Sequence, residues 1–445
     1  MFKNCAVALV LVAAASLLAQ SPNKKPQPAT QKGGSAPAGA FVLRGGRLLT
    51  ITHGVIENGV LVIQNGKITA VGSAGTTAVP AGAKVLDVTG MTVYPGLIDS
   101  ETHLGLTEIS EDRSTVDTLE NSDEIMPHMH VYDAFHAETA LIPVTRVNGI
   151  TNAIVAPAIG DTLPGQDSFI QLAGRSANDM LMVRDIALPL NFTGRQRRNE
   201  SFDRAKFPQT RMGMAAQLRQ AFLDAQDYEQ KVADYEKKKS SGSDKPGNPP
   251  KKDLKLEALL PYLHGQRPVV LAAEEPNDVE TALDLAHEFH LKVVLNHLTH
   301  AASLLDKIAA TGFPVIVGPI YEDPKESERY DAVFRLPAEM ARRGIKIAFA
   351  SYDAHQARNL PYAAGYAVAF GLPYEEALKA ITINPAQMWG VDQLLGSLDV
   401  GKMANVVVAT GDPLDVKTDV KHVFIAGQEI PLVNKQTELR DQYSQ

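Results

Sequence analysis

Glu101 and His103 are the residues whose types and spacing most directly suggest chemistry in this chain. They close the stretch Val93-Tyr94-Pro95-Gly96-Leu97-Ile98-Asp99-Ser100-Glu101-Thr102-His103. Successive side chains on a strand alternate faces, so two residues separated by one point the same way. A carboxylate oxygen and an imidazole nitrogen together at a strand's end could grip a divalent cation. The plainer reading makes Glu101 a capping or salt-bridging carboxylate beside His103.

Such a pair needs a scaffold, and the chain is long enough to supply one. At 445 residues it exceeds one typical domain, and a parallel α/β barrel alone takes roughly 250 residues. An apolar fraction of 44% suffices for a large core. The formal net charge of -8, with no long basic run, argues against nucleic acid as a partner.

From about 94 to 394, β-like runs alternate with helical stretches, as a parallel barrel requires. The runs include Gly149 to Pro157, Arg267 to Ala273, Lys292 to His297, Phe313 to Val317 and Lys346 to Ala350. Helices are expected from about Asn277 to His290 and from Leu304 to Thr311. Continuous apolar runs of this kind suit strands buried on both faces. An insert over about 195–265 reads as a charged helix, Gly213 to Lys239, followed by a turn-rich loop at 240–250.

Both flanks of this middle read as short strands. Residues 41–93 hold several, with Asn58-Gly59 and Asn65-Gly66 as tight-turn signals. Residues 395–445 show the same grammar around Gly411-Asp412-Pro413. Two β segments flanking one barrel suggest a small sandwich built from both ends.

Residues 1–19 read as a secretory signal, with Lys3, an apolar run from Ala6 to Leu18, and Ala19 as a small residue for cleavage. That run is short for a membrane span of ~20 residues, so no stable span is expected after cleavage. Residues 20–40 read as a flexible linker. Cys5 is the only cysteine, so the cleaved chain has neither disulfide nor thiol chemistry. The expected location is the periplasm or outside the cell.

The stretch Pro95-Gly96-Leu97-Ile98-Asp99-Ser100-Glu101-Thr102-His103 resembles the first barrel strand of the amidohydrolase superfamily, P-G-[LF]-I-D-x-H-x-H, with Glu101 at the first histidine. Leu395 to Asn405 resembles that family's G-x-[IL]-x-x-G-x-x-A-D stretch, with Asn405 at the usual aspartate. The branch most similar is the imidazolonepropionase-like, exported one. The resemblance implies an α/β fold, a TIM-type (β/α)8 barrel with a small β-sandwich formed by the N- and C-terminal segments. It also implies a metal site at the C-terminal strand ends. There it would place a histidine where this chain has Ala272, another at His297, and the catalytic aspartate at Asp353. A bridging lysine common in relatives has no counterpart on a middle strand.

On that resemblance, Glu101, His103, His297 and Asp353 form a mononuclear site for one divalent ion, Zn, Mn or Fe. Asp353 would be the general base and acid in hydrolysis of a non-peptide or dipeptide-like C–N bond of a small molecule. Asp353 could instead cap a helix before His355, His297 could be a core residue, and His300 could be the functional neighbour. Gln166, in Leu163-Pro164-Gly165-Gln166, resembles a loop of exported relatives, so Gln166 and His300 are candidates for substrate contact. His128 and His130 follow an acidic run on the loop leaving the first barrel strand and could supply a replacement ligand. The rival reading is a degenerate barrel that binds a small molecule or partner without turnover, for which Ala272 is the main sign. No serine-hydrolase elbow, phosphate loop or H-E-x-x-H occurs. Homo-oligomerisation is left open.

Overall fold

Runs rich in Val, Ile and Leu become strands because branched side chains pack well on a pleated backbone covered on both faces. A computed structural model describes residues 40–120, 122–193, 208, 210–241 and 247–444. The expected signal at 1–19, all of the 20–40 linker except Ala40, and positions 242–246 of the 240–250 loop lie outside the described residues.

The first sheet starts with β1 (Phe41–Leu49), β2 (Val55–Gln64), β3 (Lys67–Ser73), β4 (Lys84–Asp87) and β5 (Thr92–Pro95). Asn65-Gly66 makes the tight β2–β3 turn, both residues at positive φ (51° and 77°) between the paired Gln64 and Lys67. Asn58-Gly59 does not turn the chain. It lies inside β2, opposite a stretch of β1 with two register shifts, and Gly59 pairs with Gly46. A Cβ on Gly59 would come within 2.4 Å of Leu48 Cγ, so the glycine admits a close approach within a ladder.

The barrel sheet follows: β6 (Leu97–Thr102), β7 (Ile150–Val155), β8 (Asp167–Gln171), β9 (Leu181–Asn191), β10 (Val269–Ala273), β11 (Val293–His297), β12 (Val315–Val317) and β13 (Ile347–Phe349). These strands are neighbours in chain order. Seven run parallel; β8 runs against both β7 and β9. A reversed strand needs only short hairpin-like links, so no long crossover helix separates β7 from β9. The barrel closes between β13 and β6 where Tyr352 N–H donates to Glu101 C=O at 3.0 Å and Ser351 N–H to Asp99 Oδ1 at 2.9 Å.

The chain ends return to the first sheet as β14 (Val406–Ala409), β15 (Val420–Ile425) and β16 (Gln428–Ile430). β14 pairs antiparallel with β5, setting Val408 opposite Val93 and Val407 opposite Tyr94. Leu43, Leu61, Ile68, Val93, Val406 and Phe424 share one core, so the curled sheet encloses side chains from both ends of the chain. The fold is thus mixed α/β, an eight-stranded barrel beside a small β unit made from its flanks.

The insert contributes α4 (Arg211–Ser240) and α5 (Leu254–Leu263), after the short helices α1 (Val131–Ala134), α2 (Leu141–Arg146) and α3 (Ala177–Met180). Leu218, Phe222 and Ala225 form the buried stripe of α4, and Phe222 packs on Phe289 with ring centroids 5.1 Å apart. The helix α6 (Pro276–Glu288) lies next to it, tied by Arg211 to the buried Asp278 at 2.5 Å. Among the described residues no helix is long and apolar enough to cross a membrane.

Candidate active site

An apolar layer fills the barrel interior. Ile98, Ile154, Phe169, Val270, Val294, Ile316 and Ala348, from seven of its strands, pack in one cluster. Counting two along β10 and β11 from Val270 and Val294 reaches Ala272 and Asn296, which pair at one level nearer the C-terminal strand ends. The site is built on this level.

Asn296 is its centre. Its Oδ1 accepts from the backbone N–H of His297 and from the Tyr352 hydroxyl, both at 2.8 Å. A backbone N–H must find an acceptor, so the amide is oriented with its oxygen on that side. Its Nδ2 is thereby directed to Glu101 Oε2, at 2.5 Å. The link runs across the interior from β11 to β6.

Three acids, Glu101, Asp99 and Asp167, are buried together here. Burial pushes the Glu101 carboxyl up to about 8, opposed by the Asn296 hydrogen bond and reinforced by the nearby Asp99. Burial raises Asp99 to about 7, against the hydrogen bonds from Ser351 and Glu101. Asp167 is raised well above the carboxylate range by burial and then by Glu101. Asp99 is fully enclosed and its Oδ2 has no hydrogen-bond partner. Neutral carboxylic acids are the form this interior favours.

The residues singled out by sequence do not meet at one point. Glu101 reaches inward to Asn296, whereas His103 Nδ1 donates to Ala156 C=O beyond β7, at 2.9 Å. Burial lowers the His103 pKa, so the ring is neutral with its lone pair on Nε2. His297 is buried with its ring stacked on Tyr352, centroids 4.7 Å apart. Asp353 Oδ1 accepts from the N–H groups of His355 (2.6 Å) and Gln356 (2.7 Å), and its side chain is about half exposed. That is a turn cap. His355 lies only 4.0 Å from the same oxygen.

Gln166 is buried and fastened at both ends of its amide. Nε2 donates to Pro127 C=O at 2.8 Å, and Oε1 accepts from the Tyr262 hydroxyl at 2.6 Å. His300 pairs with Glu328 through Nδ1 at 3.0 Å, joining the loop after β11 to the loop after β12. His130 is turned to Asp185 of β9 at 2.6 Å. The His128 ring has its pKa lowered by burial and then by Lys255, and neither His128 nor His130 joins Glu101.

A divalent ion was expected here, and the donor set does not fit one. Among the described residues no three His, Cys, Asp or Glu side chains form a group able to hold a metal ion. Ala272 offers a methyl group, Glu101 has one oxygen engaged by Asn296, and Asp353 is committed to its turn.

Asn296, Tyr352 and Asp99 were missed as site residues. Asn296 and Tyr352 each sit one place before a residue that drew attention, His297 and Asp353. The available signal was the period of two from Val294, which points to Asn296. No comparable signal marks Tyr352, because its backbone is left-handed (φ 56°) and strand counting fails there.

Comparison with known proteins agrees with this architecture. The amidohydrolase family profile matches residues 270–430. An amidohydrolase from Thermotoga maritima MSB8 superposes with a TM-score of 0.77 at 27% identity, covering 88% of this chain and 99% of that one. Amidohydrolase tasK of Hapsidospora irregularis is 27% identical over 387 residues, 83% of this chain; the chain spans only 39% of that protein's length. A prolidase complexed with N-methylphosphonate-L-proline shares the fold alone, at 17% identity and a TM-score of 0.56 over 88% of this chain and 99% of its own. With the profile covering the later strands and the T. maritima structure nearly the whole described fold, these similarities support the amidohydrolase superfamily as the family this chain resembles.

Proposed function

We propose that the chain hydrolyses an amide-like C–N bond of a small molecule, non-peptide or dipeptide-like, with Glu101 as the proton carrier. The observation that carries this reading is the Asn296 amide, whose fixed orientation occupies Glu101 Oε2. The acid's proton then belongs on Oε1. A carboxyl raised to about 8 is protonated at neutral pH and still close enough to release its proton, which suits general acid–base work.

The step balances without another reagent. The oxygen of a water bonds to the carbonyl carbon, the C–N bond breaks, and the leaving nitrogen takes the Oε1 proton. The carboxylate so formed recovers a proton from that water, restoring the acid. Similarity to the amidohydrolase family supports the bond class.

The test is an assay of the purified chain against dipeptides, N-acyl amino acids and cyclic amides, beside Glu101→Gln. Turnover that Glu101→Gln abolishes supports the reading. Binding without turnover across the panel, unchanged in the variant, supports the rival in which the barrel only binds. We also propose that the protein acts in the periplasm or outside the cell, on the strength of Lys3, the apolar run from Ala6 to Leu18 and the small Ala19 that follows it. Fractionation that finds the chain uncleaved in the cytoplasm would overturn that.

A further inference from the structure

Four strand ends meet where a metal would have to lie: those of β6, β10, β11 and β13. At β10, β11 and β13 the described side chains are unable to coordinate or are already engaged, and at β6 only part of the donor set is open. β10 brings Ala272, fully buried and without a donor atom. β11 brings Asn296, whose oxygen accepts two hydrogen bonds and so has both lone pairs in use. β6 brings Glu101, with one oxygen held by the Asn296 amide.

The end of β13 differs most. Tyr352, three residues past the end of β13, and His297, facing it from the end of β11, are both left-handed (φ 56° and 68°). The turn at Tyr352 sends its ring onto His297 and its hydroxyl to Asn296, while Asp353 is carried outward to cap the following turn. Tyr352 is anchored from behind by its N–H on Glu101 C=O. A Cβ on Gly318 would lie 3.1 Å from the Tyr352 ring, so β12's end leaves little spare room beside it.

We infer that this barrel has exchanged the metal position for a plug of its own side chains, Glu101–Asn296–Tyr352 stacked on His297, and holds no resident divalent ion. A tetrahedral ion asks for about three protein ligands at least. Even with Glu101 Oε1 and His103 Nε2 counted, a third ligand here means withdrawing Asp353 from its turn or unstacking His297 from Tyr352. The inference stands apart from the proposed hydrolysis, because metal content is measurable whether or not any substrate turns over.

The experiment uses the full chain produced with added Zn, Mn or Fe. Metal is counted after exhaustive dialysis, and melting temperature is read with each ion and with a chelator. The expected result is far less than one ion per chain and no change in melting temperature with any addition. About one ion per chain, lost in both Glu101→Gln and His103→Ala, would overturn the plug. An ion that both variants retain would overturn the absence of a resident ion and place it away from Glu101 and His103. Chelator-resistant turnover supports both proposals. Turnover that needs an ion lost in those variants keeps the hydrolysis and removes the plug; metal-free protein without turnover does the reverse.

Discussion

The rings of His297 and Tyr352 lie stacked 4.7 Å apart and 25° from parallel, although both residues hold left-handed backbones. Non-glycine residues in that region are strained, and strain of this kind persists where the surroundings over-determine it. Here the determinants are identifiable: the His297 N–H and the Tyr352 hydroxyl converge on one oxygen of Asn296. The stack and the amide fix one another.

Removing only the Tyr352 hydroxyl tests that coupling. Tyr352→Phe keeps the ring and should cost about 1 kcal/mol, a typical net hydrogen bond. Tyr352→Ala also removes the stack and should cost about 2 kcal/mol or more. Urea unfolding of both variants measures the difference. Equal losses would mean that the ring contributes nothing.

Stability should fall as pH rises through the window set by Asp99 and Glu101. Their folded values of about 7 and about 8 exceed the unfolded references of 3.8 and 4.5. Between those limits the folded state binds more protons than the unfolded one, so each pH increment disfavours folding. Unfolding free energies from pH 4.5 to 9 should decline for the native chain. The decline should be shallower in Asp99→Asn and Glu101→Gln. Identical slopes in all three would show that neither group titrates this way.

Glu101→Gln should separate stability from turnover. Glutamine can offer its oxygen to Asn296 Nδ2, and it removes an acid that burial makes costly to ionise. At pH 8.5 the variant should be at least as stable as the native chain. Its turnover should drop by roughly 10²–10⁴-fold, the usual worth of a general acid–base group. Retained activity would move the proton carrier elsewhere.

Asn296→Asp keeps an acceptor for the His297 N–H but takes the donor from Glu101. Two carboxyls would then share one proton, raising the Glu101 value further. The expected cost is about 1–3 kcal/mol, growing with pH. Any activity should shift its pH optimum upward. An unchanged pH profile would show that Glu101 does not depend on this amide.

Gln166→Ala should behave as a structural lesion. The buried Tyr262 hydroxyl would keep only Ala187 C=O at 3.3 Å, and Pro127 C=O would lose its side-chain donor. A loss of about 1–3 kcal/mol is expected, with KM unchanged in kinetics at a temperature where the variant is folded. A raised KM would restore Gln166 to substrate contact.

Much of the scaffold was legible in sequence because buried parallel strands need unbroken branched runs. Val269 to Ala273 and Val293 to His297 became β10 and β11, and α4, α6 and α7 (Leu305–Thr311) matched their helical stretches. The reversal of β8 was not legible, since a short apolar run carries no direction. Asn58-Gly59 misled because a left-handed Asn before Gly serves a bulge as readily as a turn. At the site, Glu101 drew attention through its motif, although β6 shifts register between Asp99 and Thr102. Asn296 was passed over for the neighbouring His297 although the period of two from Val294 reaches it, and Tyr352 because its left-handed backbone breaks the alternation that locates inward side chains.

The pairing of β5 with β14 joins Val93 to Val408 across more than three hundred intervening residues. Until β14 arrives, β5 presents a bare edge, which invites pairing with foreign strands. The whole barrel must therefore be in hand before that edge is sealed. A chain cut short before Val406 keeps an open seam that proteases and holding chaperones can recognise, so the join acts as a proof of completeness for the molecule.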